Sequence, residues 1–417
     1  MSMDNGCASP GARKTLSVDE ARQIILDTVT PLSGWEKVAI RAALGRILAA
    51  DVIAPCNVPA HDNSAMDGYA VRAEDLSPDA EVSLQVVGTA FAGRGFSGMV
   101  GAGQAVRIMT GGVMPMGADT IVVQEIVRTS GSTVVVPAGI RKGQNVRRAG
   151  EDLTEGAVAI PRGKLMGPAE LGLAASLGLA EVSVTRRLRV AFFSTGDELA
   201  TIGRPLAPGE VYDSNRYTLH GALTRLGCEL VDMGVIPDRP DELEAAFRNA
   251  AACSDVVLTT GGVSVGEADF IRELMARLGE VSFWKIDIKP GRPMAFGKIG
   301  DTWMFGLPGN PVAVMVTYYQ FVMDALLRVA GQDPLPQRPL MQASCTSPIR
   351  KLSGRKEFLR GRLYLEDGQW QVRSASAQGS GILRSMSEAN CFIVLDEHRG
   401  DVVPGETVQV QLFDGLV

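Results

Sequence analysis

The chain of 417 residues carries 46% hydrophobic and 21% charged residues and a formal net charge of −6, the make-up of a folded protein with a sizeable core rather than a disordered one. An acidic balance with no long basic block argues against a nucleic-acid partner, which demands a basic face. At about 150 residues per domain the length allows roughly three domains.

Met1 to Lys14 is polar and small, with no apolar run for a signal peptide. The most apolar helical stretch, Leu165 to Ala180, is broken by Pro168, Glu170 and glycines, which makes it a poor membrane span. A cytoplasmic protein without a membrane partner is expected. Cys7, Cys56, Cys228, Cys253, Cys345 and Cys391 contain no CxxC pair, a pattern of reduced thiols that offers no zinc knuckle. His61, His220 and His398 form neither an HExxH nor a triad pattern and read as structural or surface residues.

The fold proper begins at the capping box Ser17-Val18-Asp19-Glu20, which opens a helix over Ala21 to Val29 that Pro31 ends. A second helical pattern covers Val38 to Ala49, and Asp51 to Pro59 is an extended connector. With 151–187 and its helix over Pro168 to Leu177, residues 15–60 form a discontinuous framework domain. Between the two halves, residues 61–150 read as a small inserted β domain, with strands at Gly68–Arg72, Val82–Thr89, Gln104–Met109, Thr120–Val127 and Thr133–Pro137. Its Gly93-Arg94-Gly95-Phe96-Ser97-Gly98 matches GxGxxG in letters only, because a strand pattern follows where a dinucleotide fingerprint needs a helix.

Strands and helices alternate through 188–335, which implies an α/β domain with a mostly parallel sheet. Expected strands are Arg189–Phe193, Glu229–Val235, Asp255–Leu258, Val281–Ile286, Met294–Phe296 and Trp303–Phe305. Expected helices are Ser214–Leu226, Asp241–Ala252, Phe270–Leu278 and Pro311–Val329. Residues 336–417 return to β, as a small barrel or sandwich. The fold class is thus multi-domain α/β plus β.

In a doubly wound sheet the ligand sits beyond the carboxyl ends of the strands. There the sequence places Ser194-Thr195-Gly196-Asp197-Glu198, Ile236-Pro237-Asp238, Gly261-Gly262 running on to Glu267 and Asp269, Lys289-Pro290-Gly291-Arg292-Pro293, and Gly306-Leu307-Pro308-Gly309-Asn310-Pro311. A glycine turn alone is equally an ordinary βα loop, and a single acid is equally a solvated carboxylate or a helix cap. The group is harder to dismiss. Two bare carboxylates about 4 Å apart repel by roughly 4 kcal/mol at an effective dielectric near 20, so converging acids want a cation or protonation. Magnesium is the economical choice, since it bridges carboxylates to substrate phosphate. Lys289 and Arg292 would then face an oxyanion. The stretches His61 to Ala70 and Arg107 to Gly112 look equally specialised, while Arg141, Lys142, Arg147 and Arg148 read first as a solvated basic face.

Asp62-Asn63-Ser64-Ala65-Met66-Asp67-Gly68-Tyr69-Ala70, Arg107-Ile108-Met109-Thr110-Gly111, Asn145-Val146-Arg147-Arg148-Ala149-Gly150-Glu151-Asp152, Phe193 to Glu198, Gly261-Gly262-Val263-Ser264-Val265-Gly266 and Gly306 to Val312 together resemble the molybdopterin molybdenumtransferases, the MoeA family related to the gephyrin E domain. The resemblance runs from about Leu16 to the C-terminus. It implies insertion of molybdate into adenylylated molybdopterin with release of AMP and magnesium present. It also implies a homodimer whose active cleft combines the α/β domain of one subunit with the β domain of the other, and other molybdenum cofactor biosynthesis proteins as partners.

By the same resemblance Asp67, Thr110, Asp152, Glu198, Asp238 and Asp269 handle metal and substrate, with Glu198, Asp238 and Asp269 as metal ligands. Lys285 and Lys289 lie near the phosphate, and Lys289, Arg292 and Pro293 near the molybdate. Ser194, Gly196, Gly261, Gly262, Ser264, Pro308, Pro311 and Arg147 join the substrate-binding set, and Arg360 and Ser380 are weaker members. One departure is Ala313, where the family often has serine. Competing readings are a molybdopterin adenylyltransferase, a non-enzymatic scaffold that keeps a pterin-binding fold, and a generic magnesium-dependent phosphohydrolase.

Overall fold

The computed structural model describes residues 15–262 and 268–413, and forms two compact units. Of the described residues, the first comprises 15–36, Gly45–Ile47 and those from Thr185 onward; the second is Lys37–Leu44 with Leu48–Val184.

The first unit is built on a seven-stranded sheet in the order Thr15–Leu16, Gly279–Ile286, Pro293–Ile299, Thr302–Leu307, Val256–Thr260, Arg189–Thr195, Glu229–Ile236. Pairings are parallel except where 293–299 runs antiparallel to both its neighbours. Strand 256–260 is buried at every position, as expected of a parallel strand covered on both faces. Alternation sends Phe192, Leu258 and Phe305 into one core and Phe193, Val257 and Met304 into the core on the opposite face. Helices Ser214–Arg225, Pro240–Cys253 and Ala268–Leu278 and the continuous helical segment 311–329 cover the sheet. The last is long and apolar enough to cross a membrane, yet 89% of it is buried inside the protein, and a helix apolar all round is equally a core helix.

The helix Val18–Thr28 departs from expectation in where it packs. Its capping box forms, with Glu20 accepting from the Ser17 N–H at 2.8 Å and Ser17 Oγ accepting from the Glu20 N–H at 3.2 Å. Its apolar stripe Val18, Ala21 and Ile25 joins the α/β core instead of a framework, and Thr15–Leu16 adds an edge strand beside Lys285–Ile286.

The C-terminal strands close a barrel in the order Lys356–Glu366, Gln369–Ser374, Met341–Cys345, Thr407–Leu412, Cys391–Leu395 and back to 356–366. The short strand Ile288–Lys289 pairs with Lys356–Glu357 at its edge.

The second unit carries a six-stranded sheet in the order Thr120–Val123, Gly68–Val71, Gln104–Ile108, Val82–Ala90, Thr133–Val136, Arg128–Ser130. A separate core, with Leu48, Ile160, Ala174 and Val184, surrounds helix Pro168–Ser176. The helix expected over Val38 to Ala49 does not form. Residues Trp35–Ala39 are a strand and Ile40–Ala43 a single 3₁₀ turn, and Gly45 breaks the run at φ +72°. Residues 93–98 make turns and bends after strand 82–90, with no helix following them.

If Val18–Thr28 belongs to the α/β core, Ile25→Ala should cost about 2–5 kcal/mol, the range for emptying a buried aliphatic site. Urea unfolding of the variant measures this, and a change near zero would remove the helix from the core.

Candidate functional site

Strands 189–195, 256–260 and 302–307 lie side by side, and the turns leaving their carboxyl ends meet at one rim. Thr195-Gly196, Gly261-Gly262 and Pro308 to Pro311 line a cleft of about 1180 Å³, together with the segments 289–293 and 378–381. Gly261 sits at φ +89°, and a Cβ there would stand 2.4 Å from the Thr195 carbonyl oxygen. Only glycine allows that approach.

Glu198 and Asp238 both face this cleft. The Asp238 N–H donates to Asp197 Oδ1 at 3.4 Å, tying the two acidic turns, and the Val211 N–H donates to the Glu198 carbonyl at 2.9 Å. Opposite charge comes from Lys289, Arg292 and Arg355. Lys289 Nζ donates to both oxygens of Glu357, at 3.1 and 3.3 Å, and Glu357 itself is buried. Arg292 reaches Asp287 at 3.5 Å, while its Nε is buried with no partner among the described residues. Gly196, Gly261, Gly262, Lys289, Arg292, Pro293, Pro308, Pro311 and Ser380 thus line one cavity.

Within the first unit, three of the expected residues do not line it. Ser194 is fully buried beneath the rim, accepting from Thr260 Oγ1 and donating to Asp213 Oδ1, both at 3.0 Å. Arg360 is 0% exposed with no carboxylate partner among the described residues, and burial pushes its pKa down to about 10. Its Nε donates to Ser385 Oγ at 3.0 Å and its Nη2 to the Gly379 carbonyl at 3.1 Å, so it holds the cleft-lining segment 378–381 from behind. Lys285 lies half-buried in strand 279–286, between Thr15 and Pro293, and does not line the cleft.

Ser264 and the Asp269 side chain lie outside the described residues. Among the described residues no three His, Cys, Asp or Glu stand close enough to hold a metal. Glu198 and Asp238 nevertheless fit magnesium by the chemistry of their donors, because that ion takes hard oxygens and is commonly held by one or two carboxylates plus substrate phosphates.

In the second unit Asp67 accepts from the Thr110 N–H at 2.8 Å and from Thr110 Oγ1 at 2.7 Å. Those two bonds, the backbone one first, hold the Asp67 carboxyl below the usual aspartate range. Asp62 is held low likewise, by the Ala149 N–H and by Arg148. Arg147 and Asp152 are exposed.

Sequence reasoning passed over Asp213, Asn215 and Arg355, which also line the cleft. The signal was present in Asp213-Ser214. Aspartate is a preferred N-cap, and it accepts from the Arg216 N–H at 3.2 Å. A helix that follows strand 189–195 must begin on the carboxyl side of the sheet, where ligands bind.

Three family models match in chain order. They are the MoeA N-terminal region (domain I and II) over residues 16–178, a probable molybdopterin binding domain over 191–328, and the MoeA C-terminal region (domain IV) over 342–413. A molybdopterin molybdenumtransferase of Haemophilus influenzae is 44% identical over 96% of this chain and 100% of its own. One from a Nostoc species is 35% identical over 94% of this chain and 93% of its own. The crystal structure of a molybdopterin biosynthesis moeA protein from Pyrococcus horikoshii superposes with a TM-score of 0.81 at 30% identity, covering 96% of this chain and 100% of that one.

Because two Thr110 donors lower the Asp67 pKa, Thr110→Ala should raise it part of the way back towards 3.8. The clamp is at full strength above that pH and is lost only as pH falls below it. Carboxyl carbon chemical shifts followed through an acid titration check this, and an unmoved midpoint would detach Thr110 from the shift.

Proposed function

Because the chain belongs to the molybdopterin molybdenumtransferase family, we propose that its cleft binds adenylylated molybdopterin and molybdate and releases AMP as molybdenum enters the pterin. The chain is a transferase of molybdenum cofactor biosynthesis. The observation that carries the finer reading is the juxtaposition of Lys289, Arg292 and Arg355 with Glu198 and Asp238 around a cleft walled by glycine turns.

Breaking a phosphoanhydride requires neutralised phosphate charge and a positioned oxygen nucleophile. Magnesium held by Glu198, Asp238 and Asp269 would supply the neutralisation. The Gly261-Gly262 turn lets phosphate oxygens approach the backbone. Lys289 and Arg292 hold the incoming molybdate dianion so that one of its oxygens bonds the adenylate phosphorus as the anhydride P–O bond to the pterin phosphate breaks; AMP then leaves with that oxygen as its Mo–O bond breaks and molybdenum passes to the pterin. Pro293 and Ser380 shape that end of the cleft, while Arg360 acts from behind it by holding Gly379 in place. Lys285 helps the phosphate only through the field of its charge. The Ala313 methyl lines the cleft, so no hydroxyl contributes to anion binding at that position.

In this proposal the protein is a homodimer in which Asp67, Thr110, Arg147 and Asp152 of one subunit complete the cleft of the other. It works in the cytoplasm and receives its pterin from other proteins of cofactor biosynthesis. Free thiols at Cys56, Cys228, Cys253, Cys345 and Cys391 support a reducing compartment. The domain division 15–60 with 151–187, 61–150, 188–335 and 336–417 stands as our proposal with one change: residues 15–28 go with the α/β domain, into whose sheet and core they pack.

Molybdate-dependent AMP release, assayed with and without magnesium, tests the reading. Glu198→Gln should lower kcat about 10²-fold or more, the scale of losing one charge-stabilising group, with the melting temperature unchanged. Lys289→Met should instead raise the KM for molybdate about 10- to 100-fold, as for one hydrogen bond to a charged group. Full turnover by Glu198→Gln would remove the acid cluster from the chemistry.

A further inference from the structure

The cleft carries one polar feature that oxyanion binding leaves unused. Asn215, 7% exposed, donates from Nδ2 to the Gly309 carbonyl at 2.6 Å. A carbonyl oxygen accepts only from a donor, so the amide orientation is fixed and Oδ1 is the remaining atom. That Oδ1 is buried with no partner among the described residues, and so is the Oγ1 of Thr195, a residue 6% exposed. Both residues line the same cleft. A buried polar atom left unpaired costs free energy, and a native structure keeps such atoms where a ligand completes them.

The chemistry of Asn215 Oδ1 selects the partner. An amide oxygen is an acceptor only, and a phosphate or molybdate oxygen is an acceptor too, so the two repel. Among the groups a substrate presents, the atom calls for an N–H or O–H. Thr195 Oγ1 can accept a second such bond or donate one to a ring nitrogen. From this we propose that Thr195 and Asn215 form a subsite that reads the hydrogen-bond donor edge of the substrate, apart from the charged groups that hold its phosphates and the molybdate. The inference rests on the substrate proposed above. Two parts of that substrate present such an edge: the amino and ring N–H groups of the pterin, and the amino and ribose hydroxyl groups of the adenylate.

The subsite is fixed from below. Asn215 stands in the first turn of helix 214–225, whose N-cap Asp213 is bonded to Ser194, and Ser194 to Thr260. Thr195 follows Ser194 directly. The buried chain Thr260–Ser194–Asp213 therefore sets the positions of both acceptors, which gives Ser194 a positioning role in place of the contact expected of it. Sites that hydrogen-bond a substrate donor reject analogues lacking it, because their own buried groups are then left unpaired.

Thr195→Val removes the hydroxyl, keeps the side-chain shape and leaves the Asn215–Gly309 bond intact. Equilibrium binding of molybdopterin and, separately, of AMP to this variant should show one of the two weakened by about 3- to 10-fold, the worth of one neutral hydrogen bond. Loss confined to molybdopterin assigns the donor edge to the pterin, and loss confined to AMP assigns it to the adenylate. Unchanged affinity for both overturns the subsite. Asn215→Ala should weaken the same ligand while leaving the KM for molybdate unchanged. A rise in that KM would mean that Asn215 acts only by holding Gly309, and would overturn its assignment as an acceptor. Wild-type protein that binds neither ligand removes the proposed function itself, an outcome distinct from a variant that matches a binding wild type.

Discussion

The cleft depends on two backbones passing closer than side chains allow. Gly261 leaves strand 256–260 beside Thr195, with room for hydrogen but not for a methyl group. Any larger residue would push apart the turns of two parallel neighbours, and the register from Val190↔Val256 to Ser194↔Thr260 would no longer deliver Thr195 and Gly261 to one rim. The sheet fixes that register through cores on both faces, into which strands 189–195, 256–260 and 302–307 send alternate buried residues. A one-residue slip would exchange those faces. Burial thus positions the turns, and the missing Cβ lets them meet.

The far wall of the cleft comes from another architecture. The barrel supplies segment 378–381, held by Arg360 to Gly379 and Ser385 and by the Gln378 side chain, which accepts from the Arg360 N–H and donates to its carbonyl. The Ser380 carbonyl in turn accepts from the Val312 N–H at 3.0 Å. A buried guanidinium with neutral acceptors only is costly. That cost is tolerated because five donors in a rigid fork can fasten a loop from beneath. Identity as an arginine was visible in the sequence; its direction, inward instead of towards substrate, depended on which face of strand 356–366 it occupies.

Much of the α/β fold was legible because its strands are short, apolar and separated by amphipathic helices, so periodicity and order agree. The glycine turns and the acids at strand ends were legible for the same reason, since topology places every such loop on one side. What escaped was set by partners distant in sequence. Val38 to Ala49 has apolar residues at helical spacing, yet Ile40 donates its N–H to the Ala180 carbonyl and Leu48 to Lys164, contacts no local pattern encodes. Val18–Thr28 was recognised as a helix by its cap, but its packing partner lies across the chain in Asp324, bonded to Arg22, and in the core around Val329. Ser194 sits in a motif that ends in the exposed Asp197 and Glu198, yet it still belongs to strand 189–195, whose residues from Val190 onward are all buried.

Lys289 shows why the cations in the cleft are part of the fold as well as of its chemistry. Glu357 is buried, and a buried carboxylate stripped of its partner costs about 3–5 kcal/mol. Its neighbours are Lys289, bonded to it directly, and Lys351, whose own burial lowers its pKa while the charge of Glu357 pushes back. The backbone pairing of Ile288–Lys289 with Lys356–Glu357 brings the two charges together before any side chain is placed. Lys289 is therefore held in the cleft by the penalty of leaving Glu357 alone, and its side chain stays half-exposed at the cavity wall. A cation fixed in this way needs little reorganisation when an oxyanion arrives, so the pairing that stabilises the junction of sheet and barrel also prepares the site.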